Sequence, residues 1–242
     1  MRTLVTGGTR GIGAAIARRL ASDGHDLVLG YTRDHEAAEQ TAATCRELGV
    51  DCTTVCADLV AQGGVEDLFA SVHDLTGVVN NAGATLHIGP LADTPPDVVR
   101  ATVELNLTSA LLVARAAVRA MGRSRGGAGG VLVNVSSGAA TLGSPGEYVQ
   151  YAAAKAGVDA LTLGLAQEVA GDGIRVVGVA PGIVETTIHA DAGEPGRVER
   201  VGPLVPLGRA GQVEEVAAAV AWLMSEEASY ITGTTLRVAG GR

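Results

Sequence analysis

Tyr151 and Lys155 lie four residues apart, and the three alanines between them favour a helix. Residues at this spacing share one helical face, so the phenol and the ammonium point the same way. A cation beside a phenol favours the phenolate and lowers a pKa that starts near about 10. Lys155 is the only lysine among the 18 Lys and Arg residues, and an ammonium can titrate where a guanidinium cannot. The pair is therefore a candidate acid or base near neutral pH.

A serine pair lies upstream of this helix. Ser136 and Ser137 follow a predicted strand over 131–135, and a serine there could hydrogen-bond the substrate oxygen that the phenol protonates. Without a cofactor, such a group of side chains would have nothing to catalyse.

A glycine-rich loop near the N-terminus offers a place for that cofactor. A strand over 2–6 precedes the loop, and an Ala-rich helix to about residue 21 follows it. This order brings backbone amides and a positive helix end to one point, which suits a pyrophosphate. The predicted contacts are Gly7, Thr9, Arg10, Gly11, Ile12 and Gly13.

The second predicted strand, 26–30, should end at the adenosine ribose. NAD-binding proteins usually place a carboxylate there, but Gly30 is followed by Tyr31, Thr32 and Arg33. Arg33 and Arg10 could instead bind a 2′-phosphate, which makes NADPH the preferred cofactor over NAD. The alternative is that both are solvated loop arginines.

Further cofactor contacts are expected after the next two strands. The strand over 51–56 leads to Asp58 and Leu59 on the adenine side, and the strand at 77–79 leads to a turn with Asn81, Ala82 and Gly83. Asparagines in such a turn can brace the fold, border the cofactor, or do both.

Strands alternate with helices along all 242 residues, including a short helix over 65–75 and, near the end, a helix over 213–224 and a strand over 235–238. This order predicts an α/β fold in which about seven strands form a doubly wound, Rossmann-type parallel sheet with helices on both faces. We expect one dinucleotide-binding domain over 1–242. A long helix from Pro95-Pro96 carries Asn106, and the loop-like stretch 183–211 is the expected substrate loop. His87 and His189 could line its mouth or lie on the surface.

The composition limits the classes of partner that the protein is expected to bind. The net charge of −8 provides no basic footprint for nucleic acid or an anionic membrane, and no apolar run reads as a membrane span. Cys45, Cys52 and Cys56 form neither a disulfide framework nor a metal site. A strand begins directly after Met1, which leaves no room for a signal peptide. A cytoplasmic location is expected.

Together these motifs resemble the short-chain dehydrogenase/reductase (SDR) family over essentially the whole chain. The similarity rests on Thr6 to Gly13, on residues 80–83, and on Asn106, Ser137, Tyr151, Lys155 and Pro181-Gly182 in order. It is greatest to bacterial 3-oxoacyl carrier-protein reductases and related ketoreductases and dehydrogenases.

The resemblance implies a role for each residue. Tyr151 would protonate the carbonyl oxygen, Ser137 would orient that oxygen, and Lys155 would bind the nicotinamide ribose and lower the Tyr151 pKa. Asn106 would hold a relay water, while Val184 and Thr186 would contact the nicotinamide end.

Several positions depart from the family pattern. Ser137 and Tyr151 are fourteen residues apart where thirteen is common, so Ser136 stays a rival, although the family usually uses the second serine. Tyr148 roughly shares the face of Lys155, but the family's four-residue interval selects Tyr151. Asp172 lies where carrier-protein reductases can have a basic residue. Val177 and Ala239 replace a common Asn and Asp in what are expected to be architectural positions.

The expected function is the NADPH-dependent reduction of a ketone to its secondary alcohol, and the reaction is expected to be reversible. The expected partner is this small-molecule substrate. The alternatives are an NAD-dependent alcohol or sugar dehydrogenase and a non-catalytic dinucleotide-binding regulatory protein. Resemblance suggests a homotetramer, or a homodimer, that pairs the 151–170 helix with the helix bearing Arg115 and Arg119. The arginine stripe formed by Arg115, Arg119, Arg123 and Arg125 could instead be solvated or dock an acidic carrier protein.

Overall fold

A computed structural model describes residues 1–242 and contains one seven-stranded sheet in the order β3-β2-β1-β4-β5-β6-β7, with every pairing parallel. The doubly wound parallel sheet predicted from the sequence is thereby confirmed. The strands are β1 (Arg2–Thr6), β2 (Asp26–Tyr31), β3 (Cys52–Cys56), β4 (Gly77–Asn80), β5 (Gly130–Val135), β6 (Ile174–Pro181) and β7 (Thr235–Val238).

Helices cover both faces of the sheet, because successive side chains of each buried strand point in opposite directions. Val5 packs in one apolar cluster with Ile16 and Val220, whereas its neighbour Leu4 packs in a second cluster with Val113 and Val169. The helices are α1 (Gly11–Ser22), α2 (His35–Glu47), α3 (Gly64–Ala70), α4 (Pro96–Val103), α5 (Ser109–Met121), α6 (Ala139–Leu142), α7 (Val149–Val169), α8 (Ile188–Asp191), α9 (Arg197–Val201) and α10 (Val213–Met224).

The strand order reverses direction at β1. The chain runs outward through β2 and β3 on one side and through β4 to β7 on the other. At such a switch point the loops beyond the carboxyl ends of the strands separate and leave a crevice. The glycine loop follows β1, the 81–83 turn follows β4, and Ser136 and Ser137 follow β5.

A buried line of polar side chains ties the centre of the sheet to α7. The Asn80 amide nitrogen donates to Asn134 Oδ1 (3.1 Å) and to the Ala110 carbonyl (3.0 Å). The Asn134 amide nitrogen in turn donates to the Thr162 hydroxyl (3.0 Å). Asn80 is therefore structural, as one interpretation of the asparagine turn expected.

The helical stretch Pro96–Met121 differs from its prediction in one way. A π-helical turn at Glu104–Thr108 joins α4 to α5 and carries Asn106. By length and composition alone the stretch could cross a membrane, with a mean hydropathy of 1.3 and 39% of that window buried. It contains charged residues such as Arg100, Glu104 and Arg115, so it is not an uninterrupted apolar run.

Two other segments also differ from expectation. The helix predicted over 65–75 is α3, which ends at Ala70. The predicted loop 183–211 contains α8 and α9, and a bridge between Val184 and Gly211 closes it at its base. This closed segment, residues 183–211, is called the substrate segment below.

Candidate active site

One crevice of about 960 Å³ brings the glycine loop and the Tyr151 region together. Every residue predicted to bind the cofactor lines this crevice, as do Ser136 and Ser137. The cofactor set is Gly7, Thr9, Arg10, Gly11, Ile12, Gly13, Thr32, Arg33, Asp58, Leu59, Asn81, Ala82, Gly83, Tyr151, Lys155, Val184 and Thr186.

The glycine loop leaves its backbone open to a ligand. Gly7 and Gly11 adopt positive φ values of 60° and 51°, which glycine accepts without strain. A Cβ on Gly13 would lie 2.0 Å from the Gly7 carbonyl oxygen, so only glycine lets α1 approach β1 this closely. The N-terminal amides of α1 therefore face the crevice, an arrangement that fits a pyrophosphate.

Asn81 both braces this loop and lines the crevice. Its amide nitrogen donates to the carbonyls of Thr6 (2.9 Å) and Gly7 (3.1 Å), and its backbone N–H donates to the Thr6 hydroxyl (2.9 Å). The two roles considered for the asparagine turn thus coexist at Asn81.

The end of the crevice beside β2 carries two arginines. Arg33 lines the crevice, and Arg10 is exposed and lies 3.6 Å from the Asp191 carboxylate. Asp34, which the sequence interpretation did not consider here, also lines the crevice, but its carboxylate accepts the Ala37 N–H (2.9 Å) and caps α2. The glycine loop and these cations fit a nicotinamide dinucleotide.

Tyr151 is buried in the crevice wall, with a 7% exposed side chain in the first turn of α7. Burial raises the pKa of its phenol, and the neighbouring Ser137 hydroxyl offsets only part of this effect. The expectation of a lowered pKa is therefore wrong in direction, because desolvation of the ring dominates. The phenol keeps its proton near neutral pH.

The two candidate serines face different ways. The Ser136 hydroxyl donates to the Lys155 carbonyl (3.2 Å) and is buried against α7. The Ser137 hydroxyl accepts the Ala139 N–H (3.1 Å) and lies close enough to Tyr151 to lower the pKa of its phenol. Only Ser137 therefore places its hydroxyl beside the phenol.

Lys155 lies one helical turn beyond Tyr151, as the four-residue spacing predicts. Its Nζ donates to the Val135 carbonyl (2.9 Å) and lies 5.8 Å from the centre of the Tyr151 ring. Burial lowers the pKa of Lys155 to about 8, while Asp159 acts in the opposite direction. The amine thus changes charge close to physiological pH.

Asn106 is fully buried and lies behind the crevice wall. Its Oδ1 accepts the Ala84 N–H (3.2 Å), and its Nδ2 donates to the carbonyls of Ala84 (2.8 Å) and Thr102 (2.9 Å). A Cβ on Gly83 would lie 2.6 Å from Asn106 Oδ1 and 3.3 Å from Lys155 Nζ. Asn106 thereby fixes the turn beside Lys155, and its water-holding role stays a prediction.

The substrate segment covers the other side of the crevice. Val184 is buried beside the Gly211 bridge, and Thr186 packs against the glycine loop near Gly11. His189 is buried and lines the crevice, so the surface alternative is wrong for it. His87 is half-buried and does not line the crevice.

A charged group near Tyr151 was missed by the sequence interpretation. Arg197 of α9 is 2% exposed, and its guanidinium donates to both Glu147 oxygens (2.9 and 2.6 Å) and to the Tyr148 hydroxyl (2.9 Å). The Tyr148 ring meets Tyr151 edge-on at 5.5 Å. Tyr148 is therefore a wall residue bonded to Arg197 and does not replace Tyr151. No local pattern joins residues fifty positions apart, so the sequence held no signal for this cluster.

Comparison with known proteins agrees with this geometry. Residues 7–242 match the family described as "Enoyl-(Acyl carrier protein) reductase". An uncharacterized oxidoreductase, YgfF of Escherichia coli, is 43% identical over 99% of the chain and 98% of its own length. The 3-oxoacyl-[acyl-carrier-protein] reductase FabG of Pseudomonas aeruginosa is 36% identical over 98% and 95%.

A solved structure shares the whole architecture. The short chain dehydrogenase from Burkholderia cenocepacia, determined in complex with NADP, superposes with a TM-score of 0.89. It is 33% identical and the match covers 99% of this chain and 96% of that one.

Proposed function

The chain belongs to the short-chain dehydrogenase/reductase family and is an oxidoreductase of CH–OH and C=O groups, and we propose that it is an NADPH-dependent ketone reductase. The observation that carries this proposal is the convergence of a protonated, buried phenol, a hydroxyl and an amine on a crevice with a glycine cradle. The substrate is a small ketone, and the reaction is reversible with its secondary alcohol.

The mechanism follows from the side chains that face the crevice. When bound, NADPH supplies the hydride that reduces the carbonyl carbon. Tyr151 donates its phenolic proton to the oxygen that becomes the alcohol. Ser137, whose hydroxyl lies beside Tyr151, hydrogen-bonds the same oxygen. Lys155 holds the nicotinamide ribose and, as an ammonium, stabilises the phenolate left after proton transfer.

The preference for NADPH is supported by Arg10 and Arg33 at the end of the crevice beside β2. A guanidinium that pairs with a 2′-phosphate makes charge-assisted hydrogen bonds, which NADH cannot form. Arg33→Ala should lower kcat/KM for NADPH by about tenfold or more and leave kcat/KM for NADH nearly unchanged.

Arg119→Ala is the matched control for that measurement, because Arg119 is an exposed arginine on α5 outside the crevice. It should leave both coenzymes unaffected. A wild-type preference for NADH would contradict the assignment of Arg10 and Arg33.

One observation favours a second candidate, an NAD-dependent alcohol or sugar dehydrogenase. Asp34 lines the crevice beside Arg33, and a carboxylate at the end of β2 could accept a ribose hydroxyl. Its engagement with the Ala37 N–H leaves it less free to do so. Asp34→Asn should therefore change NADH turnover only under this second assignment.

A panel of ketones with NADPH absorbance as the signal tests the proposal as a whole. Turnover of any member distinguishes an enzyme from a non-catalytic dinucleotide-binding protein. Docking of an acidic carrier protein is less favoured, because the Asp172 carboxylate accepts the Ser124 N–H (3.0 Å) between Arg123 and Arg125 and adds negative charge to that stripe.

A further inference from the structure

The crevice has a second polar group besides Ser137, Tyr151 and Lys155, and it is built around Arg197. The guanidinium of Arg197 donates hydrogen bonds from four of its five N–H groups. One Nη donates to Glu147 and Glu194, and the other donates to Glu147 and the Tyr148 hydroxyl. Its Nε is buried without a partner. Arg197 is therefore closed to a substrate anion, since its Nη groups already bind carboxylates and the phenol.

Glu147 is the member of this group that faces the crevice. It lines the same cavity as Ser137 and Tyr151, and its side chain is 26% exposed, whereas Glu194 does not line that cavity. A carboxylate offers about four acceptor positions, and the fork from Arg197 occupies two of them. The Arg197 guanidinium holds the pKa of Glu147 below its usual range, so the carboxylate is ionised and can still accept a hydrogen bond.

The position of Glu147 relative to the reacting carbonyl is fixed by packing. Tyr148 follows Glu147 directly, its ring lies 4.9 Å from the Arg197 guanidinium carbon, and it meets Tyr151 edge-on at 5.5 Å. Two ion pairs and two aromatic contacts thus join the substrate segment, Glu147 and Tyr151 into one rigid wall. Arg197 is a positioning residue, because it acts through Glu147 and Tyr148.

The charge of this wall indicates which substrates it accepts. Arg197 and Arg200 are balanced by Glu147 and Glu194, and Arg200 bonds Glu194 and lies 3.8 Å from Glu147. Burial and the neighbouring Arg197 lower the pKa of His189 to about 4, so His189 adds no cation at neutral pH. Arg197 and Arg200 are therefore paired within this group and offer no free guanidinium to a carboxylate or phosphate on the substrate. Arg242 also lines the crevice and lies close enough to Glu147 to help lower its pKa.

We propose that Glu147, held by Arg197, is a specificity-determining acceptor that selects ketones carrying a hydroxyl group. This inference rests on the proposed ketone reductase function. It assigns the substrate class as hydroxyketones, from small acyloins to ketoses, in place of acyl thioesters on an acidic carrier.

Matched pairs of ketones test the assignment, with a methyl group replaced by a hydroxyl at increasing distance from the carbonyl. The pairs are 2-butanone with hydroxyacetone, 2-pentanone with 4-hydroxy-2-butanone, and 2-hexanone with 5-hydroxy-2-pentanone. In the wild type, kcat/KM should favour the hydroxyl member of at least one pair by about tenfold, as expected for a hydrogen bond to a charged group. Glu147→Gln should remove most of this preference, measured as the ratio of kcat/KM between the two members of each pair.

Glu194→Gln is the matched control, because it removes the same charge from the same arginine outside the crevice. It should preserve the preference. No preference in the wild type, a preference retained in Glu147→Gln, or an equal loss in Glu194→Gln would each overturn the proposal.

Calorimetric binding of the same pairs to the protein with oxidised coenzyme separates this inference from the proposed function. Tighter binding of the hydroxyl member without any turnover would support the proposed Glu147 subsite and refute the proposed reductase function. Turnover of plain and hydroxylated ketones at equal rates, with equal affinities, would retain the reductase and refute the subsite.

Discussion

At the scale of single residues, burial moves Tyr151 and Lys155 toward their neutral forms. It raises the pKa of the phenol and lowers that of the amine to about 8. A general acid must hold its proton until the substrate oxygen develops negative charge, and the raised pKa of Tyr151 meets that requirement. Lys155, in its ammonium form, then supplies the positive charge that stabilises the phenolate left after proton release.

Tyr151→Phe should lower kcat by about 10²-fold to 10⁴-fold, the usual contribution of a general acid. Phenylalanine keeps the edge-on contact with Tyr148 and loses only the hydroxyl beside Ser137. The affinity for NADPH, measured by fluorescence titration, should therefore stay nearly constant. Retained turnover in this variant would refute the role of the phenol.

The pH dependence of ketone reduction should report Lys155. Because its pKa is lowered to about 8, the ammonium is present below that pH and is lost above it. We expect kcat/KM to be level in mildly acidic to neutral buffer and to fall as pH rises through about 8.

Lys155→Arg provides the control for this profile, since a guanidinium does not titrate in this range. Its residual activity should show no alkaline decline near the pH where the wild type loses activity. A wild-type profile that stays level well above that pH would contradict the assignment.

At the scale of elements, the approach of α1 to β1 depends on Gly13. A Cβ there would lie 2.0 Å from a backbone oxygen, which cannot move without displacing the glycine loop. Gly13→Ala should lower the free energy of unfolding by about 1–3 kcal/mol and weaken NADPH binding.

Urea unfolding followed by circular dichroism measures that change. Gly171→Ala is the control, because a Cβ at Gly171 meets nothing within 4 Å, and it should shift stability by less than about 0.5 kcal/mol. Equal stability of the Gly13→Ala variant and the wild type would show that the loop can relax.

Elements with strong local signals could be predicted from the sequence. The bounds of β1, β7 and α10 match their predictions, because short β-type runs and one uninterrupted helical pattern define them. The helix predicted over 65–75 ends at Ala70, because tertiary packing and not local propensity sets its end. The same applies to the substrate segment, whose two short helices depend on contacts with distant parts of the chain.

The candidate site, like the fold, was predictable only where local sequence determines it. Tyr151 and Lys155 were predictable from a four-residue spacing, and the glycine loop from its order between strand and helix. The raised pKa of Tyr151 and the Arg197 cluster were not, because burial and pairing across fifty residues exist only in the folded chain.

At the scale of the whole molecule, exposed leucines lie on the helices that were expected to pair. Leu111 and Leu112 on α5 are 44% and 38% exposed, and Leu163 on α7 is 53% exposed. We propose that this face, defined by these three leucines, is covered by a second copy in a homotetramer. Adjacent exposed apolar side chains on two neighbouring helices support association.

Leu163→Arg should therefore lower the sedimentation coefficient, because a charge at the centre of the contact opposes association. Leu48→Arg, a 49% exposed leucine after α2, is the matched control and should not change it. A wild-type species with the 24.3 kDa mass of one chain would contradict the assembly.

The buried line from Asn80 through Asn134 to Thr162 restricts how the sheet can align during folding. Sliding β4 past β5 by one residue would turn one of these amides to the opposite face, where its partner is missing. Each buried amide left without a hydrogen-bond partner would destabilise the misaligned sheet by about 1–3 kcal/mol. Sheets with a shifted register beneath α7 are therefore less stable. Only chains with correctly aligned strands present Tyr151 and Lys155 to the crevice.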